Sequence, residues 1–161
     1  MENNKLFLVC PFSCMENFIR QKYGDDVFFI TAMGTVFKLE EREYLETIKQ
    51  FISRENITEI FVVSDTSCRF IKNVLKNEIN SGSHSETVIQ NLLRDNYALV
   101  MNEKTIEQQQ IKLAQLIVNY QAEELKKTNC LQQQILQNKI LIRELVTSKN
   151  SNQIIQLTIK Q

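Results

Sequence analysis

The sequence has no excess of charge of either sign, with Lys and Arg numbering 19 and Asp and Glu also 19. Such a balance gives no electrostatic reason to bind nucleic acid or an anionic membrane, and the Lys126-Lys127 pair is too sparse for a nucleic-acid stripe. No apolar run approaches the roughly 18–20 residues that cross a bilayer. The start, M-E-N-N-K-L-F-L-V-C, is acidic and has no small-residue cleavage site, which argues against a signal peptide. Cysteine is not patterned as a disulfide framework: the four residues show no close repeated spacing and fit reduced thiols. The one histidine, His84, lies in the one Gly/Ser-rich loop, residues 81–85, and reads as an exposed loop residue with no partner nearby in sequence. Together these absences lead to the expectation of a cytoplasmic protein.

What is present supports one core. A chain of 161 residues with 43% apolar composition is expected to form a single domain over 1–161. Its first half alternates strand and helix. Residues 5–10 form an apolar strand stopped by Pro11, and Ser13 is placed to cap a helix over 15–23 that Gly24 ends. A second apolar strand over 27–32 follows, and Gly34 marks a place where backbone could approach something closely. An amphipathic helix over 40–54, with Tyr44, Leu45, Ile48, Phe51 and Ile52 on one stripe, leads to a third strand over 60–63. Alternation of this kind predicts right-handed crossovers and a parallel sheet. Helices are expected over 70–80, 86–97, 105–127 and 131–146, the last capped by Asn129, with Cys130 in the core. Gln108–110 and Gln132–134 read as solvated faces of these helices. Residues 154–159 alternate like a half-buried edge strand. The fold class is therefore α/β, with a mainly parallel central sheet of four to five strands, helices on both faces and an edge strand at the C-terminus.

The chain is organised around E-I-F-V-V-S-D-T-S-C-R, residues 59–69. A strand buried on both faces opens there into a polar turn, and Cys68 leads the next helix. Open α/β sheets bind ligands just beyond the carboxyl ends of their strands. Cys10 ends the first strand in an equivalent place, so two thiols point to one shared site. Each residue also has a plainer role. Cys10 and Cys68 can pack as small hydrophobes, and Asp65 can cap the helix that follows it.

Cys10-Pro-Phe-Ser13-Cys14, Gly24-Asp25, Glu43-Tyr44 and Ser64-Asp65-Thr66-Ser67-Cys68 together resemble the β-class carbonic anhydrases. That family reads C-x-D-S-R after its first strand, G-D before its second, E-Y in the next helix and G-H-S-x-C-G after its third strand. The stretch from 131 to 159, with Leu141-Ile142-Arg143-Glu144-Leu145-Val146, resembles its closing helix and last strand, whereas 84–127 matches poorly. The resemblance implies a zinc held by Cys10, by Asp65 where the family has histidine, and by Cys68, with Cys14 a further candidate thiolate. The departures fall on the chemistry. Phe12 and Cys14 stand where the family has the Asp and Arg that orient the zinc-bound water, and neither residue can replace them. Thr31-Ala32-Met33-Gly34-Thr35 keeps only the glycine of R-N-x-G-N, and Arg69 replaces a glycine.

Two functions are therefore expected in competition. One is a carbonic-anhydrase-like pseudoenzyme with no catalytic residues and no cofactor, acting as a binding or assembly module for a protein partner not named by the sequence. The other is a zinc lyase interconverting carbon dioxide and bicarbonate, or running a related reaction, on a rebuilt Cys10, Asp65, Cys68 site. In either case the strand V-F-F-I-T-A has no proline and no inward charge to blunt an exposed edge. A homodimer through that edge is expected, since the family pairs its subunits through the sheet and an N-terminal arm, and only Met1 to Asn4 stand in the arm's place.

Overall fold

Short apolar runs bounded by Pro11, Gly24-Asp25 and Ser64–Ser67 become the parallel strands of one sheet. The computed structural model describes residues 3–78 and 82–160. In chain order the elements are β1 (Asn4–Val9), α1 (Glu16–Tyr23), β2 (Val27–Thr31), α2 (Arg42–Arg54), β3 (Ile57–Asp65) and α3 (Arg69–Leu75). They continue as α4 (His84–Asp95), α5 (Tyr97–Met101), α6 (Ile106–Lys127), α7 (Asn129–Gln137), β4 (Leu141–Ser148) and β5 (Gln153–Lys160). The sheet order is β2-β1-β3-β4-β5. The first four strands are parallel, and β5 returns antiparallel against β4 as the far edge. This is the α/β sheet expected, with the 60–63 run at its centre and the 27–32 run on its other edge.

The period of two along each strand divides the core between two faces. Leu6 and Leu8 of β1, Ile60 and Val62 of β3, and Ile142 and Val146 of β4 face a large cluster built with α2, α3, α4, α6 and α7. Phe7, Val9, Phe61, Val63 and Leu145 face a smaller one, closed by Met15, Phe18 and Ile19 at α1. On that side Phe7 stacks on Phe61 with ring centroids 4.5 Å apart, and Tyr23 packs against both rings. Burial on both faces explains why the inner strands read as continuous apolar runs instead of alternating.

Several expectations are corrected. The single helix over 131–146 is two elements: α7 ends at Gln137, Lys139 adopts φ 51°, and Leu141 onward is β4. Its apolar residues fit both periods, and pairing beside β3 decided between them. The helix over 86–97 begins at His84 and breaks at Asn96 into α4 and α5. The helix expected over 70–80 stops at Leu75; part of that stretch, and of the 81–85 loop, lies outside the described residues. Ser13 does not cap α1 but belongs to a 3-10 turn over Pro11–Ser13, and Met15 is the N-cap. Thr128, not Asn129, precedes α7, and Cys130 on its first turn is exposed instead of core. In β5 a register shift turns Ile155 toward the large cluster, while Leu157 is exposed.

Candidate functional site

Three strand ends and one crossing loop build the site. Cys10 follows directly on β1, and its carbonyl accepts from Ser13 N–H as the chain tightens into the Pro11–Ser13 turn. β3 ends at Asp65, and a turn closed by Cys68 N–H to the Asp65 carbonyl starts α3. After β2 the chain crosses these ends: Ala32 N–H donates to the Val9 carbonyl, and the Thr35 hydroxyl donates to the Val63 carbonyl at 2.8 Å. Between those two anchors Gly34 sits at φ 65° and donates its N–H to Cys10 Sγ at 3.2 Å. A Cβ there would lie 2.8 Å from Ile89 Cδ1 of α4, and the left-handed φ itself favours glycine where the backbone comes this close to the sulfur. The poorly matched segment that contains α4 therefore packs directly on the site.

Cys10 and Cys68 both belong to the large buried cluster, each 2% exposed, and each thiol shifts the other's pKa. Their mutual influence moves the two thiols in opposite directions. Cys10 is lowered to about 6, first by the Cys68 thiol donating to it and further by N–H groups of Gly34 and Phe12 and by the Ser13 side chain, against the effect of burial. Cys68 is raised, by that same bond, by burial and by the negative charge on Cys10. The Ser13 hydroxyl is buried and has no hydrogen-bond partner.

Asp65, although in the same turn as Cys68, does not join them. Its Oδ1 accepts from the Ser67 N–H and the Ser67 hydroxyl, and its Oδ2 from the Thr147 hydroxyl at 2.6 Å and the Lys149 N–H at 2.8 Å. Nor does it cap α3, whose N-cap is Cys68 without a side-chain cap bond. Instead a carboxylate 1% exposed ties the end of β3 to the end of β4. Lys149 then reaches from that strand end to the first turn, its Nζ donating to the Ser13 carbonyl. Thr147 and Lys149 escaped the sequence reading, because they follow directly on the 131–146 stretch that read as a helix; only the pairing of Asp65 with Thr147 in register exposes their role.

The remaining candidates lie apart. Cys14 is exposed, in the left-handed region with its Sγ toward the Pro11 carbonyl, and His84 is exposed at the start of α4. Phe12 is 49% exposed and packs at a tilt near Phe70, with centroids 5.9 Å apart, while the Arg69 guanidinium lies 5.3 Å above its ring. A cation over an aromatic face is attracted by about 0.5–1 kcal/mol at an exposed position. The two departures Phe12 and Arg69 are therefore one contact. The donor set does not fit a four-coordinate zinc: two thiols converge, the carboxylate offered as third ligand is already engaged at both oxygens, and the hydroxyl left over is a poor ligand. Among the described residues no group of three or more His, Cys, Asp or Glu side chains gathers as a metal site. The cleft of about 790 Å³ between α2 and α7 is lined by residues such as Lys49, Arg54, Cys130 and Gln134, and by neither of the paired thiols.

Comparison with known proteins gives a consistent picture. The carbonic anhydrase family profile matches residues 6–154. No curated protein matches the chain. A tetrameric β-carbonic anhydrase of Sordaria macrospora superposes with a TM-score of 0.80 at 13% identity, over 98% of this chain and 83% of that one. The β-carbonic anhydrase CafD of Aspergillus fumigatus, in a mutant form, gives 0.79 at 15% identity over 99% and 90%. The Coccomyxa β-carbonic anhydrase in complex with acetazolamide gives 0.74 at 13% over 98% and 74%. At such identities the likeness to these structures is one of fold. No helix among the described residues is long and apolar enough to cross a membrane.

Proposed function

The chain belongs to the β-class carbonic anhydrase family, and from that premise we propose that it is a non-catalytic member acting as a binding or assembly module. The observation that carries this reading is the Phe12–Arg69 contact. Where the resemblance expects a carboxylate and a glycine, a ring and a guanidinium pack on each other, and no proton acceptor stands at position 12 to orient a water. The closing of the strand ends by Gly34 and Ile89 adds to it, since a substrate would need room there. Carbon dioxide hydration followed by stopped flow, with and without added zinc, tests the reading. No rate above buffer is expected in either condition; a zinc-dependent rate lost in Cys68→Ser would overturn it.

The lyase reading has one observation in its favour, the mutual influence of Cys10 and Cys68 at the strand ends. It would need Asp65 to leave the Ser67, Thr147 and Lys149 donors to complete the ligand set. For assembly, the proposal is a homodimer through β2. That strand is a sheet edge, carries the partly buried Phe28 and Phe29, and has neither proline nor a bulge to discourage pairing. The Sordaria macrospora proteins are tetrameric, which makes self-association of this chain a natural expectation. Light scattering should return twice the chain mass of 18.9 kDa, and Phe29→Lys should return it to the monomer. A monomeric wild type would remove the dimer and leave only a partner of different sequence for that edge.

A further inference from the structure

A smaller concavity stands beside the closed strand ends, where the loop leaving β2 meets α2 and α4, and it encloses about 230 Å³. It differs from the larger cleft between α2 and α7, which is lined by amide and charged side chains without a branched apolar or aromatic residue. Here Ala32, Met33 and Val36 supply apolar walls, and Thr31, Tyr44 and Ser85 each bring a hydroxyl. Ser85 is the informative one. It is only 5% exposed, yet among the described residues its hydroxyl has no hydrogen-bond partner. A hydroxyl buried without a partner is unfavourable, so a partner from outside the chain is expected. Its main-chain N–H, on the second residue of α4, is one of the first donors of that helix and has no acceptor within it. Tyr44 adds another donor: burial first, and Glu41 second, push it up to about 12, so its hydroxyl keeps its proton throughout the neutral range.

Charge at the mouth is balanced. Lys38 Nζ lies 3.3 Å from Glu41 Oε1, and Glu86, in the first turn of α4, already meets the positive end of that helix. The lining therefore gives no reason for a charged occupant, and it offers donors above apolar walls. We propose that this cavity binds a small uncharged molecule with an apolar body and a carbonyl-type oxygen. The oxygen accepts from Ser85 and Tyr44, and the body lies on Ala32, Met33 and Val36. At the packing density of protein interiors the space takes a body of about ten non-hydrogen atoms. The inference goes beyond the non-catalytic reading and does not depend on it, since the molecule is held and no bond in it changes.

The test titrates the whole isotope-labelled chain with acetophenone and follows it by two-dimensional NMR. Saturable shifts are expected from Thr31 to Val36 and at Ser85 and Glu86, and not at Cys130 or Gln134 of the α2–α7 cleft. α-Methylstyrene, the same shape with carbon in place of the oxygen, should bind about fivefold more weakly for want of a hydrogen bond. Benzoate, of similar shape but charged, should also bind more weakly. Ser85→Ala should lose about fivefold in acetophenone affinity while being at least as stable as wild type in urea, because the deleted hydroxyl has no partner within the chain. Ala32→Ile, whose branched side chain suits the extended backbone there, fills the cavity and should abolish binding. The site is overturned by the absence of any saturable shift, by shifts centred on the α2–α7 cleft, or by benzoate or α-methylstyrene binding as well as acetophenone. Undiminished binding in Ser85→Ala would overturn it too, as would a Ser85→Ala protein less stable than wild type, which would mean that the hydroxyl is already bonded within the chain. Carbon dioxide hydration is assayed separately, so a zinc-dependent rate would sink the non-catalytic reading and leave this site standing.

Discussion

Asp65 and Cys68 share one strand-to-helix turn, yet they belong to different kinds of environment. Asp65 is surrounded by donors on both oxygens and holds two strand ends together. Cys68 faces apolar side chains and a single other sulfur, and is held by packing. The first residue has all its hydrogen-bonding capacity committed to the fold. The second is a free, buried thiol. Two residues of one turn can thus take different roles, the polar one as a structural clamp and the thiol as part of the packed core.

The comparison breaks most visibly at the clamp. Asp65→Ala leaves the Thr147 hydroxyl and the Lys149 and Ser67 N–H groups without their acceptor, and is expected to cost about 3 kcal/mol in urea denaturation. A loss below about 1 kcal/mol would show that water replaces the carboxylate without penalty. A smaller effect is expected on the thiol side. Gly34→Ala should cost about 1–2 kcal/mol, because φ 65° strains an L side chain, whereas the tip of Ile89 can rotate away from the new Cβ. It should also disturb the N–H to Cys10 while leaving the Asp65 network untouched. A Gly34→Ala protein as stable as wild type would mean that the crossing loop relaxes freely.

The smallest effect sharpens the contrast with a group outside the site that is shifted mainly by burial. Tyr44, on α2 and stacked against Phe37, is pushed up to about 12 by burial first and by the nearby Glu41 charge second. Its native state keeps the phenol proton where the unfolded chain has begun to lose it. Stability from this group is therefore intact below about pH 10 and declines as pH rises towards 12. The ring is only partly buried, so the slope is modest. Tyr44→Phe should flatten the decline in a denaturation series across that window; an unchanged slope would assign it to other groups.

Much of this molecule follows from local chemistry alone. Apolar runs of strand length, closed by Pro11, Gly24 and the Ser64–Ser67 turn, are enough to place β1, β2 and β3, to put Cys10 and Cys68 at strand ends, and to suggest a shared site. The 27–32 run, apolar and unguarded, already reads as an edge, and β2 is one. Those features depend on neighbours within a few residues, which is what periodicity records. The residues that fix Asp65 depend on something else. Thr147 belongs to a strand whose apolar spacing also fits a helix, and it became Asp65's partner only when β4 docked parallel to β3 in one register. Phe12 meets Arg69, and Ile89 meets Gly34, across chain separations that no local pattern reports. A parallel sheet joins strands through long crossovers, so the sequence by itself determined where the thiols stand, and only the tertiary structure decided that the carboxylate between them would turn away.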